Sequence, residues 1–396
     1  MVNFKLWKVF TKQKKIKLLR IIPTLDPSFG GPSFATIESS IILSQKGVKV
    51  DIITCDSRNK SFKRLKDIKI INFGPNYLGN YRLNFRIYNW LKKNRDKYDI
   101  FIVHGVWTYL SLIARILIKN KYFIFTHGQL DPFFSENFLK KIKKKLYWFF
   151  FEKSNLLQSK KVLVTSKKEI NFLKNTFVNT KGIKFKKIQY GIIKENFNKK
   201  KIISKFYKQF RYLKNKNFYL FLGRYHEKKG CDILIECINN LKNEFNDVIL
   251  MCGPLENSNY LENLYKLIKK YNLEKKVILS DAIYGDLKWG AIVESKAMLL
   301  ASHGENFGVA LVESLSLGKP VITTNKVGIS DDIIKYKAGI ICNDDVESFT
   351  RNFKKFINYS KNKNKNMSIN AIKCFNSNFD LKSNHNSLFN LLNNEL

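Results

Sequence analysis

Residues 297–324 read AMLLASHGENFGVALVESLSLGKPVITT, and this stretch decides the fold. A short apolar run, Ala297–Ala301, leads into a polar loop with glycines, and an amphipathic helical pattern follows the loop. The turn Gly318–Pro320 then starts a second apolar run, Val321–Thr324. Near-continuous apolar runs of this length are typical of parallel strands that helices cover on both faces. The stretch therefore predicts a strand–helix–strand unit of an α/β protein.

The same alternation of short apolar runs and longer amphipathic stretches extends outward through the chain in two series. Two such series predict two doubly wound parallel-sheet domains that face each other across a cleft. The Lys- and Asn-rich stretch 194–216 separates the series, so we expect an N-terminal domain over 1–195 and a C-terminal domain over 196–375. A last helical segment, 376–396, is expected to pack back on the N-terminal domain. The predicted strands are Leu18–Ile22, Val48–Thr54, Ile100–His104, Phe123–Thr126 and Val162–Thr165 in the first series, and Phe218–Leu222, Val248–Cys252, Val277–Leu279, Ala297–Ala301, Val321–Thr324 and Gly339–Cys342 in the second.

The chain is strongly basic, since 71 Lys and Arg residues against 32 Asp and Glu residues give a formal net charge of +39. Such a charge points to an anionic partner: a nucleic acid, a membrane surface or a phosphorylated substrate. Only ten of the basic residues are Arg, the usual reader of bases, and no nucleic-acid-binding motif is present, so we expect no nucleic-acid partner. Lys is spread along the chain together with Asn, Ile and Phe, so the codon bias of an AT-rich genome is the other explanation of the charge.

The cysteine spacing and the hydropathy pattern indicate a cytosolic protein. The six Cys residues lack the paired spacing of metal sites, and several lie inside apolar runs, which predicts reduced thiols in the core. No window approaches the roughly eighteen uncharged apolar residues of a membrane-spanning helix. The basic N-terminal stretch 1–20 is too interrupted by Lys for a signal peptide.

One basic segment, 138–153, has the sequence FLKKIKKKLYWFFFEK and combines Lys with aromatic residues. On a helix its apolar residues fall on one side and most of its Lys residues elsewhere, a pattern typical of helices that lie in an anionic lipid interface. We therefore expect this segment to contact a membrane surface. The alternative is an ordinary surface helix whose apolar stripe packs on the sheet. The apolar side comprises Phe138, Ile142, Leu146, Phe149 and Phe150.

Two candidate ligand-binding loops follow strands of the first series. Gly30 and Gly31 come after the first strand and open a helix, where paired glycines allow close backbone approach and a helix N-terminus offers amides to an anion. His104 and His127 stand at the carboxyl ends of two strands, which is the crevice position of α/β sheets. Each feature also has a purely structural explanation, a turn glycine or a core histidine. The helix after the glycines has apolar positions at Phe34, Ile37, Ile41 and Ile42.

In the second half, charged residues stand at two strand ends. Arg224 follows one strand and Lys229 lies five residues on, so a guanidinium and an ammonium can converge on a diphosphate. Glu305 lies in the loop of the quoted stretch, and Glu313 lies eight residues later in the helix. Carboxylates at such positions can accept hydrogen bonds from the vicinal hydroxyls of sugars and riboses. These four residues are candidates for a site that binds a sugar or nucleotide phosphate.

These motifs resemble those of the retaining nucleotide-sugar glycosyltransferases of group 1, or family 4. The signature of that family is a Glu-x7-Glu motif, which Glu305 and Glu313 match in spacing and surroundings. The stretch 126–132, THGQLDP, is similar to the His-Gly-x-Leu-Asp-Pro element of its surface-polysaccharide members, and Ser166–Glu169 stands at its Ser-x-x-Glu segment. Tyr190 departs from the pattern, because it stands where the family commonly has Asn.

The resemblance implies a GT-B fold of two Rossmann-like domains, in which the N-terminal domain serves the acceptor and the C-terminal domain binds a nucleotide diphosphate-sugar. It implies that Arg224 and Lys229 neutralise the leaving diphosphate and that Glu313 binds the ribose hydroxyls. Glu305 would contact the donor sugar, and His127 would lie near the reacting sugar. The implied catalytic residues are His127, Arg224, Lys229 and Glu305, and the implied donor-binding residues are Gly30, Gly31, Gly223, Asn306, Phe307, Gly308, Val309 and Glu313.

The resemblance further implies no metal and no cofactor, because two fixed cations can take the charge that Mg²⁺ otherwise neutralises. We expect a UDP- or GDP-sugar donor, retention at the anomeric carbon, and a glycan or polyprenyl-linked acceptor in lipopolysaccharide, capsule or exopolysaccharide assembly. The expected location is the cytoplasm, at the inner face of the cytoplasmic membrane. The alternatives are another sugar-nucleotide enzyme of the same fold, such as an epimerase or a phosphorylase, a basic nucleic-acid-binding protein, and a silent scaffold.

Overall fold

The computed structural model describes residues 15–26, 31–60, 67–130, 138–176, 180–255, 258–384 and 386–395. These residues form two parallel sheets, one in each half of the chain. The strands of the first sheet are β1 Lys17–Ile22, β2 Lys49–Thr54, β3 Ile68–Asn72, β4 Ile100–His104, β5 Tyr122–Phe125, β6 Val162–Val164 and β7 Phe185–Lys187. Those of the second are β8 Phe218–Leu222, β9 Val248–Cys252, β10 Val277–Ser280, β11 Met298–Leu300, β12 Val321–Thr324 and β13 Gly339–Cys342.

Helices connect the strands and flank both sheets. In the first half they are α1 Gly31–Gln45, α2 Phe85–Asn94, α3 Tyr109–Leu117, α4 Phe138–Tyr147, α5 Lys153–Leu157 and α6 Lys167–Thr176, and a π-helical turn, Trp148–Glu152, joins α4 to α5. The second half has α7 Lys199–Gln209, α8 Cys231–Asn240, α9 Asn259–Lys270, α10 Gly285–Glu294, α11 Val309–Ser316, α12 Ser330–Tyr336, α13 Val346–Ile357, α14 Lys361–Asn378, α15 Leu381–Asn384 and α16 Asn386–Asn394. None of the described helices combines the length and the apolar character needed to cross a membrane.

Each sheet reverses its strand order in its interior. The first sheet has the order β3-β2-β1-β4-β5-β6-β7 and the second has β10-β9-β8-β11-β12-β13, with every pair of neighbours parallel. The reversals lie between β1 and β4 and between β8 and β11, and such switch points are where open α/β sheets bind ligands. The predicted pair of doubly wound parallel-sheet domains is confirmed.

Two strands of the first sheet, β3 and β7, are absent from the predicted series. They are its two edge strands, and each has a neighbour on one side only. Ile68 is the one fully buried residue of β3, while Lys186 and Lys187 of β7 are exposed. Edge strands are partly solvated and therefore lack the continuous apolar run that marks a buried parallel strand. Every predicted strand is present, with its ends within one residue of the predicted ones.

The hydrophobic core forms three clusters of buried residues. Leu19 and Ile21 of β1 belong to one cluster and Leu18 and Ile22 to another, so these two clusters cover opposite faces of the first sheet. The third cluster fills the second half. All six Cys residues are buried and free, which confirms the prediction of core thiols.

The chain crosses between the halves twice, and the two crossings lie side by side. The Ile192 N–H donates to the Phe379 carbonyl at 3.0 Å, and the Leu381 N–H donates to the Ile192 carbonyl at 3.1 Å. After the second crossing, α16 inserts Leu391 and Leu392 into a core cluster of the first half. The last helix of the chain is therefore part of the N-terminal core.

Truncation of Leu392 to Ala should destabilise the protein, because this side chain is fully buried in the N-terminal core. Loss of buried methyl groups and the cavity left behind typically lower the free energy of unfolding by about 2–5 kcal/mol. Urea unfolding of the full chain measures the change, and Asn393→Ala, at the exposed neighbouring position, is the control. Equal stabilities of the two variants would show that α16 does not contribute to the core.

Candidate active site

The two halves approach each other closely at two glycines of the first half. A Cβ atom on Gly31 would lie 2.8 Å from Val309 Cγ2, and one on Gly128 would lie 2.6 Å from Asn306 Cβ. Real Cβ atoms do not come this near to other heavy atoms, so a larger residue fits at neither position without a shift. The two glycines thus bring the ends of β1 and β5 against the start of α11. Gly30, also predicted, lies outside the described residues.

Glu305 lies in the β11–α11 loop and forms an ion pair with Lys229. Its N–H donates to the Lys326 carbonyl at 3.2 Å, and its carbonyl accepts from the Gly328 N–H at 2.8 Å, so its backbone is held on both sides. Burial raises the pKa of the Glu305 carboxyl, but the Lys229 ammonium, together with Lys228 and the Gly308 N–H, outweighs burial and holds that pKa below its ordinary value. The carboxylate is therefore ionised at neutral pH.

Lys229 is positioned by a short 3₁₀ turn, Glu227–Lys229, between β8 and α8. Gly230, with a φ of 62°, ends the turn. A Cβ atom on Gly230 would lie 2.1 Å from the Ala301 carbonyl oxygen, so only a glycine lets the turn rest against the end of β11. Arg224 precedes the turn and is exposed. The turn thus carries the Lys229 ammonium to the β11–α11 loop.

Glu313, on α11, forms an ion pair with Lys288 of α10, with 2.5 Å between Oε1 and Nζ. The Lys288 ammonium also lies 4.7 Å from the centre of the Trp289 ring. Burial raises the pKa of the Glu313 carboxyl, and Lys288 opposes that rise. The sequence does not mark Lys288, because it is one Lys in a Lys-rich chain and stands in a helix that carries no recognisable motif.

A cavity of about 780 Å³ lies beside Lys288, between α1 of the first half and α7 and α10 of the second. Phe34 of α1 lines this cavity and is 40% exposed, so it does not belong to the buried face of its helix. Of the four apolar positions noted in the sequence, Ile37 and Ile41 pack against the core and Ile42 is buried, so Phe34 alone departs from the predicted face. The buried residues of α1 are Ser33, Ala35, Thr36, Ser40, Ile42 and Leu43.

His127 follows β5 and stacks on Phe125, with 4.5 Å between the ring centres. Its Nε2 lies 2.8 Å from Nδ1 of His104, so the two histidines singled out in the sequence are hydrogen-bonded neighbours. Burial, and then the positive charge of Arg20, lower the pKa of His127 to about 3. The His127 imidazole is therefore neutral at pH 7.

The loop that carries His127 is held by Glu169, a buried residue of α6. Its carboxylate accepts hydrogen bonds from the backbone N–H groups of Gly128, at 2.8 Å, and Thr165, at 3.1 Å, and from the hydroxyl of Thr126. Burial raises the pKa of the Glu169 carboxyl, and these donors oppose the rise. The Ser-x-x-Glu pattern marks Glu169 in the sequence, but only the structure shows that it positions the loop after β5.

Tyr190, noted above as a departure from the motif pattern, connects the two halves. Its hydroxyl donates to the Gly31 carbonyl at 3.3 Å. Its ring packs edge-on against Phe307, with 4.7 Å between the ring centres, and lies 6.3 Å from the ring of His127. Tyr190 therefore contacts the loop of Gly31, the loop of His127 and the β11–α11 loop, where the predicted residues of the two halves meet.

The structure brings predicted residues of both halves to one cleft. Asn306–Val309 lies at the start of α11 opposite the glycine loops, and Gly308, with a φ of 77°, precedes the first residue of that helix. Gly223 ends β8 by donating its N–H to the Cys252 carbonyl at 3.1 Å, and Arg224 stays at the exposed rim. Within the described residues, no group of three or more His, Cys, Asp or Glu side chains could hold a metal ion.

Two family models match the chain. Residues 203–374 match the family described as Glycosyl transferases group 1. Residues 30–187 match the family described as Glycosyltransferase Family 4. Together the two matches include every predicted site residue.

Curated relatives and solved structures agree with these matches. The alpha-1,3/1,6-mannosyltransferase ALG2 of Dictyostelium discoideum is 26% identical over 311 residues, which are 72% of this chain and 73% of that protein. The capsular polysaccharide biosynthesis glycosyltransferase CapM of Staphylococcus aureus is 27% identical over 212 residues, 52% of this chain and 48% of that protein. Sucrose-phosphate synthase of Thermosynechococcus elongatus, at 15% identity, superimposes with a TM-score of 0.75 over 96% of this chain and 98% of that one, which shows a shared fold.

Gly128→Ala should disturb the contact between the halves, whereas Gly47→Ala should not. Both glycines have positive φ angles, 74° and 86°, so both substitutions carry a backbone penalty of about 1–2 kcal/mol. Only at Gly128 does the new Cβ atom meet the other half, because no described residue lies within 4 Å of a Cβ at Gly47. We expect a larger radius of gyration by small-angle X-ray scattering for Gly128→Ala alone. Identical scattering by both variants and the wild type would contradict the contact.

Proposed function

Because the chain belongs to the group 1, family 4 glycosyltransferases, and is thus a transferase with a GT-B fold, we propose that it moves a sugar from a nucleotide diphosphate-sugar to a lipid-linked glycan with retention of the anomeric configuration. The observation that carries the proposal is the Lys229–Glu305 ion pair before α11, with Gly31 of the other half against the start of that helix. A fixed cation, an ionised carboxylate and a helix N-terminus at one point suit a sugar diphosphate.

The proposed diphosphate site is the space between Lys229, the N-terminus of α11 and the loop of Gly31. The first backbone N–H groups of a helix have no partner within it, and the helix dipole adds partial positive charge there. Gly31 lies against Val309, so the glycine loop of the other half stands directly beside the start of α11. Arg224, at the exposed rim, has further donors for phosphate oxygens. We expect these cations to neutralise the leaving diphosphate, so transfer should proceed in EDTA.

The two carboxylates of the Glu-x7-Glu motif suit the hydroxyl groups of the donor. An ionised carboxylate has several acceptor sites, so Glu305 can accept from sugar hydroxyls while it keeps its bond to Lys229. Glu313 lies about one helical turn from the start of α11 and would accept from the ribose hydroxyls. Lys288 favours the ionised form of that buried carboxyl, and the adjacent cavity offers room for the nucleoside.

For a transfer with retention, we favour a single front-face displacement over a double displacement. Lys229 binds Glu305 and Lys288 binds Glu313, and pairing with a cation lowers the nucleophilicity that a carboxylate needs for a double displacement. The acceptor hydroxyl would then attack the face that the diphosphate leaves. In this step the bond from the anomeric carbon to the phosphate oxygen breaks, the bond to the acceptor oxygen forms, and the departing phosphate oxygen takes the acceptor proton.

An exposed aromatic surface, formed by Ile142, Leu146, Phe149 and Phe150, supports a lipid-linked acceptor. Leu146, Phe149 and Phe150 are 54%, 74% and 60% exposed, so the apolar side of this segment does not pack on the sheet. Of the five consecutive aromatic residues 147–151, only Trp148 is fully buried. The same helix carries exposed Lys residues, and such a combination suits the headgroup region of an anionic bilayer. Phe138, also predicted for this side, lies outside the residues whose side chains are described.

The aromatic surface continues onto neighbouring elements. Tyr147 packs against Tyr81, with 6.0 Å between the ring centres, and Leu78 and Phe85 on either side of Tyr81 are both more than half exposed. Exposed apolar side chains grouped in this way are typical of an interaction site, whereas single exposed apolar residues are common on any protein surface. It lies on the half that the proposal assigns to the acceptor.

We place this activity in the assembly of lipopolysaccharide, capsule or exopolysaccharide, on a polyprenyl-linked glycan at the inner face of the cytoplasmic membrane. The relative that acts in capsular polysaccharide biosynthesis supports this pathway class. The relative that is a mannosyltransferase makes GDP-mannose the first donor to test, alongside UDP-glucose. Family membership favours this transfer over the epimerase, nucleic-acid-binding and scaffold alternatives.

Glu305→Ala and Lys229→Ala should each lower kcat/KM for transfer at least about 100-fold, or about 2.7 kcal/mol of transition-state stabilisation. A thermal-shift panel of UDP, GDP and their sugar conjugates in EDTA first identifies the donor, since a ligand at 100 times its Kd adds about 2.7 kcal/mol of stability. Glu347→Ala, at an exposed position of α13, is the control and should retain full activity. Near-normal turnover by both cleft variants would contradict the site, and a product of inverted anomeric configuration by NMR would contradict retention.

Phe149→Ser/Phe150→Ser should abolish sedimentation of the protein with vesicles of 30% phosphatidylglycerol in phosphatidylcholine at low salt. Both the aromatic anchors and their apolar area are lost in this variant, while the Lys residues remain. Ile334→Ser/Ile369→Ser, at exposed apolar positions of the other half, is the matched control and should sediment like the wild type. Failure of the wild type to sediment, or equal sedimentation of all three proteins, would contradict membrane contact through the aromatic surface.

A further inference from the structure

Arg20, on the inner strand β1, is a buried cation. It is 2% exposed, and within the described part of the chain no carboxylate bonds to it. Its Nη1 donates instead to the Thr36 carbonyl at 3.1 Å and to the hydroxyls of Ser39 and Ser40 at 2.7 and 2.9 Å. Burial lowers the pKa of Arg20 to about 9, so it remains charged at pH 7. An unpaired buried charge costs several kcal/mol, so packing alone does not account for an Arg at this position.

The remaining contact of Arg20 fixes the protonation of His104. The Arg20 Nε–H donates to Nε2 of His104 at 3.1 Å. A guanidinium has donors only, so His104 must present a lone pair at Nε2 and carries its ring proton at Nδ1. Burial, and then the charge of Arg20, lower the pKa of His104 well below its ordinary value, in agreement with a neutral ring.

His104 in turn fixes the protonation of His127. Its Nδ1–H faces Nε2 of His127 at 2.8 Å, with the Thr36 hydroxyl as a more distant neighbour at 3.3 Å. Since the proton between the two rings belongs to His104, Nε2 of His127 is the acceptor. The neutral His127 ring must then carry its own proton at Nδ1. Stacking on Phe125 on one side and the edge of Tyr190 on the other limit rotation of the ring.

We propose that Arg20 and His104 are positioning residues that hold His127 in the neutral Nδ1–H tautomer, so that His127 acts in the reaction as a hydrogen-bond donor and not as a general base. The lone pair at Nε2 of His127 is occupied by His104, and its Nδ1, which carries the proton, has no hydrogen-bond partner among the described residues. The partner of that proton would be a hydroxyl or a charge-developing oxygen of the bound sugar. The proposal rests on the proposed function only in placing His127 beside the reacting sugar.

The tautomer can be read directly in the ligand-free wild-type protein. The chain has five His residues, so long-range ¹H–¹⁵N correlation spectra of protein labelled at histidine are simple, and the His127→Gln variant assigns the signals of His127. We expect a protonated Nδ1 and an unprotonated Nε2 for both His104 and His127 at pH 7. An Nε2–H tautomer or a doubly protonated ring at His127 would overturn the proposal without the need for any further variant.

Variants at His104 separate positioning from a merely structural role. His104→Gln keeps an oxygen to accept from Arg20 and an N–H to donate to His127, whereas His104→Phe keeps the ring shape and loses both bonds. We expect the Gln variant to retain the Nδ1–H tautomer of His127 and most of the wild-type kcat. The Phe variant should lose the single tautomer and about 10–100-fold in kcat, with KM for the donor changed little, because a donor aimed at the transition state is lost.

A second variant that interrupts the same series of hydrogen bonds controls for a folding defect in the first. Arg20→Met leaves His104 in place and removes the donor that sets its tautomer, so it should produce the same mixture of His127 tautomers and the same loss of kcat. Retention of kcat by both His104→Phe and Arg20→Met, in folded protein with an altered tautomer, would overturn the positioning role. Because the tautomer is measured without donor or acceptor, this failure is distinct from a failure of the proposed function, which would appear as absence of transfer by the wild type.

Discussion

Close contact of two glycine-bearing loops with the start of α11 is the constraint on which the site depends. Gly31 and Gly128 have no side chains to keep Val309 and Asn306 away, so segments far apart in the sequence form one cleft. In the proposed site, the second half contributes Lys229, Glu305 and Glu313, and the first half contributes backbone and His127. Neither half holds a complete site. The two adjacent chain crossings, which join the halves, are therefore as necessary to the site as the residues within it.

Each buried charge at the cleft is stabilised in a different way, and the difference determines what it can do. Glu305 and Glu313 each have a Lys partner, which favours the ionised form of each carboxyl and leaves acceptor sites for further hydrogen bonds. Glu169 is held by backbone N–H groups and a hydroxyl, which suits a carboxyl that positions a loop. Arg20 has only neutral acceptors among the described residues. In our proposal it determines which nitrogen of His104 carries the proton, and His104 in turn determines the tautomer of His127. Burial of charge is tolerated only with such partners.

Most of the fold could be predicted because a parallel strand buried on both faces requires a continuous apolar run, and such runs are visible locally. The edge strands β3 and β7 were not predicted, because solvent on one side allows polar residues where a buried strand needs a continuous apolar run. The face of α1 could be inferred only in part. Ile37 and Ile41 pack against the core and Ile42 is buried, as the periodicity predicts, whereas Phe34 lies at the cleft. Small residues of the buried side, such as Thr36 and Ser40, accept hydrogen bonds from the Arg20 guanidinium, which apolar periodicity does not show.

The sequence by itself determined two doubly wound sheets, the spacing of Glu305 and Glu313, and the family to which these motifs belong. Only the tertiary structure decided which side chains meet: Lys288 with Glu313, and Arg20 with His104, 84 positions further along the chain. The physical reason is the separation along the sequence over which each kind of interaction acts. Periodicity and motif spacing report how a segment meets solvent and its own neighbours, whereas a bond between distant side chains depends on strand order and helix packing, which exist only once the whole chain has folded.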